Sequence, residues 1–166
     1  MRLAARLALI ALSALALAAC APAPIYQPAP GTLTALPYQV AQTPERYAGG
    51  AVIWGGRVVK VDNLADHSEI EILAYPLDKS QRPKRNDSGA GRFIAVMRGY
   101  VEPLDYPPGA LITVNGRLAG SRAGKVGEAS YVFPLVEVAQ SHVWTERELG
   151  QGGSNVHVGV GVGVIR

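Results

Sequence analysis

The chain has 166 residues, is 48% hydrophobic, and carries 16 Lys and Arg against 13 Asp and Glu, with one cysteine. That size and apolar share allow one domain with a real core. A formal charge of +3 gives no long-range pull on nucleic acid, which is excluded as a partner, and a lone cysteine can form neither an internal disulfide nor a thiolate metal site.

Residues 1–19 read as a lipoprotein signal peptide. Arg2 and Arg6 precede a stretch from Leu7 to Ala19 that is Leu, Ala and Ile except for Ser13. It is too short for a permanent membrane helix and fits the core of a secretory signal. It ends in Leu17-Ala18-Ala19-Cys20, the pattern of a bacterial lipobox, with the only cysteine where the lipid is added. Cleavage before Cys20 leaves 147 residues and removes Arg2 and Arg6, so the mature formal charge is +1. One acyl chain binds a membrane marginally, at ~0.8 kcal/mol per buried methylene, so the three chains of such lipoproteins hold almost permanently. The first expected partner is therefore outer-membrane lipid, reached through acylated Cys20.

Residues 20–46 read as a lipidated, proline-rich tether. Pro22, Pro24, Pro28, Pro30, Pro37 and Pro44 are spread through it with little apolar periodicity. Proline fixes φ and lacks an N–H, which favours extended chain over a packed element.

Residues 47–145 read as the folded domain. Ala51 to Val61 is rich in Val and Ile, with Gly55-Gly56 marking a bulge or bend. Glu69-Ile70-Glu71-Ile72 alternates with period two, which predicts a half-buried strand. Arg92 to Val101, Leu111 to Leu118 and Tyr131 to Ala139 complete five strands, and Pro134 predicts an edge or bulge in the last. Ile70, Ile72, Val114 and Val136 are expected in the core. The turns fall at Asp62-Asn63, Arg82 to Gly91, Asp105 to Gly109 and Gly120 to Gly127. Five short strands with glycine bends predict an all-β fold, a small Greek-key, OB-like barrel, with a β-sandwich as the alternative. Residues 146–166 form a Gly/Val-rich tail in which Val156, Val158, Val160, Val162 and Val164 alternate with other residues. An edge strand and a free tail fit it equally.

Little of this points to catalysis. His67, His142 and His157 lack metal-ligand spacing, so no metal site and no cofactor is expected. Gly120 to Gly127 places three residues before its Gly124-Lys125 pair and Val126 after it, so it is a turn and not a phosphate loop. Asp62, Asp66, Asp78, Glu102 and Asp105 lie mostly in turns, where they cap backbone. Trp54, Tyr75, Tyr100, Tyr106, Phe133 and Trp144 read as core or rim packing, or as a stacking surface. Lys79, Arg82, Lys84, Arg85, Arg92 and Arg98 crowd within twenty positions. They read as a solvated loop, or as a patch for anionic headgroups, lipopolysaccharide phosphates or acidic glycan.

Val52-Ile53-Trp54-Gly55-Gly56, Tyr75-Pro76-Leu77-Asp78, Arg82-Pro83, Gly91-Arg92-Phe93-Ile94-Ala95, Gly124-Lys125-Val126-Gly127 and His142-Val143-Trp144 follow one another over residues 45–145. In these the chain resembles the Slp family of outer-membrane lipoproteins of Gram-negative bacteria, associated with starvation and stationary phase. The resemblance implies an outer-membrane lipoprotein and supplies no catalytic residues. The tail after Glu148 departs from the family pattern. Ala21 is not the aspartate that retains lipoproteins in the inner membrane of enteric bacteria, which agrees with outer-membrane delivery. The expected function is a non-enzymatic structural or stress-related envelope component. The alternative is an OB-like module binding a glycan, lipid headgroup, lipopolysaccharide or envelope protein.

Overall fold

The computed structural model describes residues 23–85 and 88–150. The chain opens with helix α1 (Pro37–Gln42) and a 3-10 turn at Pro44–Tyr47, then β1 (Ala51–Asn63), β2 (His67–Tyr75) and β3 (Arg92–Arg98). A 3-10 turn at Pro103–Asp105, β4 (Leu111–Val126), β5 (Ala129–Val143) and helix α2 (Glu146–Gly150) follow. The strands close into a barrel in the order β1-β2-β3-β5-β4. Every pairing is antiparallel except that of β3 with β5, where Ile94 to Val96 lie parallel to Leu135 to Glu137. After β3 the chain crosses to the far side to pair β4 with β1, and β5 returns to fill the gap. This is the five-stranded Greek-key barrel expected from the strand count, and not a sandwich.

Alternation along each strand builds the core. Ile70, Ile72 and Ala74 of β2 point inward and are buried, as are Val114 of β4 and Val136 of β5. Trp54 meets Phe93 edge-on inside the barrel, ring centroids 5.2 Å apart. The irregularity of β1 lies between Val58 and Lys60, not at Gly55-Gly56. Those glycines answer a different need. A Cβ on Gly56 would lie 2.0 Å from the carbonyl oxygen of Leu73, and one on Gly55 2.6 Å from that of Ile112. The neighbouring backbones leave no room for a side chain.

Other expectations are corrected. The second half of the proline-rich segment packs: Leu33 pairs with Val52, and Val40 of α1 is buried in the barrel core. Pro37 stands in the first turn of α1, where a missing N–H breaks no helical bond, and the Gln39 side chain accepts from the Leu36 N–H at 2.8 Å. β4 does not stop at Leu118 but runs through the glycine-rich stretch to Val126, paired with β5 as far as Ala129. Gly120 takes φ +121° at a register shift in that ribbon, a conformation glycine adopts without penalty. His67 opens β2 and does not lie in a turn, and β3 ends at Arg98. Pro134 pairs with Ser121 one residue before the pairing with β3 begins, so its missing N–H interrupts no parallel ladder.

Candidate functional site

The six basic residues do not form one patch. Arg92, on the outer face of β3, donates from Nη1 to Glu71 at 2.5 Å, and Arg98 donates from Nη2 to Glu137 at 2.9 Å. Arg82 donates from Nε to Asp78 at 3.1 Å and from Nη1 to the Glu148 carbonyl at 3.1 Å, which ties α2 to the barrel. Lys79, Lys84 and Arg85 share the exposed surface of the β2–β3 loop.

That loop, residues 76–91, is a built structure. Asp78 Oδ1 accepts from the N–H groups of Ser80 and Arg82 at 2.8 and 2.9 Å, a side-chain turn that short carboxylates favour. Gln81 takes φ 67° at its apex. Its side chain clamps the backbone of Tyr26, accepting from the N–H and donating to the carbonyl, each at 2.8 Å. Its own carbonyl accepts from the buried Thr113 hydroxyl at 2.7 Å. The loop is thus fixed to the barrel on one side and to the N-terminal segment on the other. Beside the clamp an apolar recess of about 300 Å³ opens between that segment and the barrel, lined by Leu33, Leu36, Trp54, Tyr75 and Leu77. Sequence reasoning missed Gln81, because nothing local marks a glutamine whose partner lies 55 positions away.

The outer face of β2 and β3, the ligand surface of many OB barrels, is covered by the chain itself. The β4–β5 ribbon brings Arg122 to Glu69 with two parallel hydrogen bonds, 2.8 and 2.6 Å. Phe133 of β5 and Ile94 of β3, both buried, line the same small recess, and the Tyr131 hydroxyl accepts from the Arg92 N–H at 2.7 Å. Trp54, Tyr75, Phe133 and Trp144 are buried, so they make no stacking platform; Tyr100 is exposed.

The titrating groups are structural. Arg122 holds the Glu69 carboxyl below its ordinary range, and Glu69 in turn raises Arg122. The hydrogen bond to Asp66 (2.6 Å), followed by that to Glu69, raises His67, and His67 lowers Asp66. His142 meets Glu148 at 3.0 Å, but that carboxylate also accepts from the N–H and hydroxyl of Thr145, both at 2.7 Å, and caps α2. The Thr145 hydroxyl is the first cause of its lowered pKa. Among the described residues no three His, Asp or Glu side chains come together as a metal-binding set. Cys20, His157 and the segment 151–166 lie outside the described residues.

Residues 17–158 match the family described as the outer membrane lipoprotein Slp family. The chain belongs to this family. The match starts at Leu17 and so takes in Leu17-Ala18-Ala19-Cys20. The "Uncharacterized lipoprotein YeaY" of Escherichia coli (strain K12) is 34% identical over 106 residues, 64% of this chain and 54% of the relative. The "Outer membrane protein Slp" of the same strain is 29% identical over 110 residues, 66% of this chain and 58% of the relative. A Haemophilus influenzae protein is 37% identical over 92 residues, 55% of this chain and 50% of the relative. The chain therefore spans about half the length of the curated relatives it matches. No solved structure matches it.

As a member of the Slp family, the protein is an outer membrane lipoprotein. The motifs that carry the resemblance hold the scaffold together. Gly55-Gly56 permits close strand approach, Asp78 shapes the β2–β3 loop, and Arg82 fastens α2. Gly91 takes φ +96° against Tyr38 and the Tyr131 hydroxyl, and Trp144 Nε1 donates to Thr113 at 3.0 Å.

Proposed function

We propose that this barrel is a non-enzymatic structural component of the stressed envelope, anchored by acylated Cys20. Its β2–β3 loop sits against the phosphates of the membrane surface. The observation that carries this reading is the clamp of Gln81 on Tyr26. Tyr26 stands six positions after Cys20, and an extended chain spans at most about 22 Å over that length. The loop bearing Lys79, Lys84 and Arg85 is therefore within reach of the headgroups wherever the anchor inserts. The remaining polar residues support a scaffold and not a reaction, since both described histidines serve ion pairs that brace strand or helix ends.

The test is co-sedimentation of the protein beginning at Ala21, which lacks the lipid, with anionic and with neutral phospholipid vesicles. Wild type is expected to bind the anionic vesicles at low salt, and Lys79→Glu with Arg85→Glu to weaken that binding. A basic residue near such a surface contributes ~1 kcal/mol, so reversing two charges should reduce binding at least tenfold. The difference should fade toward physiological salt, where the screening length is about 8 Å. Wild-type binding that ignores salt, or is absent, rules out this orientation.

A further inference from the structure

The two loops at the far end of β2 from the basic loop carry the opposite chemistry. β2 has nine residues, about 30 Å of strand, so residues 64–66 before it and 76–91 after it stand at opposite ends of the barrel. The last residues of the β3–β4 loop (99–110), Pro107, Gly109 and Ala110, run back to a recess shared with Arg85. Its start joins residues 64–66, because β3 is antiparallel to β2 and Asn63 bonds Val101. At this end Leu64 is 48% exposed, Tyr100 70% and Leu104 83%. Tyr100 and Leu104 are linked through Glu102, which accepts from the Tyr100 hydroxyl and the Leu104 N–H, both at 3.4 Å. Large exposed apolar side chains set among polar groups mark an interaction surface.

The tip is braced. Asn63 holds Val101 on both sides, donating from Nδ2 to its carbonyl at 3.1 Å and accepting from its N–H at 3.3 Å. The Ser68 hydroxyl donates to the Gly99 carbonyl at 2.7 Å and accepts from the Val101 N–H at 3.1 Å. Pro103, Pro107 and Pro108 further restrict the longer loop. A surface ordered before contact loses little conformational entropy on binding.

Its charge is mainly negative. Residues 61–68 and 99–110 contain Asp62, Asp66, Glu102 and Asp105, with no Lys or Arg. Lys60 pairs with Asp62 and His67 with Asp66, while Arg98 at the border is paired with Glu137. Glu102 and Asp105, which flank Leu104 and enter no ion pair among the described residues, would be repelled by anionic headgroups, which disfavours a membrane as the occupant.

We propose that this tip is a docking surface for a folded envelope protein presenting an apolar recess ringed by Lys and Arg. Leu104 and Tyr100 would fill the recess, and the carboxylates would set partner choice and encounter rate, the usual division between buried anchors and a charged rim. The inference rests on exposure and charge at the tip alone, so failure of the vesicle test above leaves it standing.

The test places a photo-crosslinking phenylalanine analogue at Leu104 of the full lipoprotein in its own cells, with a control at exposed Gln42, at the end of α1. A protein adduct is expected at 104 and not at 42, with the crosslinked partner peptide flanked by basic residues. Glu102→Lys with Asp105→Lys should reduce the adduct at least about tenfold, because two rim charges are reversed. Glu102 also caps the Pro103–Asp105 turn through a long bond from the Leu104 N–H. Glu102→Gln with Asp105→Asn, which keeps an acceptor there and removes the charge, should therefore reduce the adduct as well, and a melting temperature near that of wild type verifies the fold. An adduct to lipid, an adduct to a second copy of this chain, no adduct, or one indifferent to charge reversal overturns the proposal.

Discussion

Arg122 of β4 meets Glu69 of β2 through both guanidinium nitrogens, at 2.8 and 2.6 Å, across 53 positions of sequence. The pair pins the β4–β5 ribbon over the outer face of the barrel. The Glu69 side chain is nearly buried and Arg122 is about half exposed, so removing the arginine strands a carboxylate that removing the carboxylate would not.

Arg122→Ala is therefore expected to destabilise more than Glu69→Gln does. Breaking a fully buried pair costs about 3–5 kcal/mol, and water reaching Arg122 should bring the loss here to about 1–3 kcal/mol. Urea unfolding of the two variants measures it. Equal losses, or none, would show that the ribbon is held by apolar contacts such as Phe133 and not by the pair.

The same cluster makes stability depend on pH in two directions. Glu69 is held below its ordinary 4.5, chiefly by Arg122, so its contribution is full above about 4.5 and disappears as pH falls through the lowered value. His67 is held above its ordinary 6.5, first by Asp66 and then by Glu69, so its contribution is full below 6.5 and disappears as pH rises through the raised value. Both are present together between those limits. The melting temperature of wild type should exceed that of His67→Gln near pH 5.5, and the gap should close as pH rises through the raised His67 value. A gap that is constant across this range would remove His67 from the account.

Ile72 is fully buried in the barrel interior. Ile72→Ala is expected to cost ~2–5 kcal/mol, the range for large-to-small changes that leave a cavity in a packed core. Denaturant unfolding with an unchanged m-value would assign the loss to the folded state. A loss below about half a kilocalorie is what an exposed site gives, and would contradict the inward phase of β2.

The inward phase of the strands was legible because period two is a local signal: Glu69 to Ile72 declares it in four residues. What sequence hid was decided by partners far along the chain. Residues 119–126 have poor strand propensity and stay extended because β5 pairs with them and Glu69 holds Arg122. In α1 the only buried nonproline residue is Val40, too little to show a helical period, and the prolines around it looked like tether. The basic run looked continuous because Glu71 and Glu137, which pair with Arg92 and Arg98, lie 21 and 39 positions away, and because the backbone carbonyl that holds Arg82 beside its local partner Asp78 belongs to Glu148, 66 positions on. Three of the six cations were structural for that reason.

Gly56 supplies a test of strand approach. Its φ is not left-handed, so any penalty for a side chain arises from contact: the added Cβ would sit 2.0 Å from Leu73 O and 2.7 Å from Ala74 Cα. Both are backbone atoms in a paired strand and cannot rotate away. Gly56→Ala should cost at least about 2 kcal/mol, within the range for overpacked cores, whereas an alanine in open space would cost little. A loss below about half a kilocalorie, as at an unconstrained site, would mean that β2 can yield there.

The anchor prediction turns on a single sulfur. Leu17-Ala18-Ala19-Cys20 places the only thiol of the chain where lipoprotein processing is expected to add a glyceride, so that acyl chains on Cys20 would hold the mature protein to the membrane. Among the described residues no helix is long and apolar enough to cross a membrane, so they offer no helical span to replace the lipid. Cys20→Ser keeps the size and polarity of the position and removes the nucleophile that accepts the glyceride. The variant should fail to incorporate a clickable fatty acid and should either persist as unprocessed precursor in the inner membrane or leave the membrane fraction. Its barrel, to which Tyr26 is the first described residue tied by a hydrogen bond, should melt as the wild-type barrel does. Fatty-acid labelling with outer-membrane fractionation decides the matter: a Cys20→Ser protein that still fractionates with the outer membrane as wild type does would mean that something other than this cysteine holds it there.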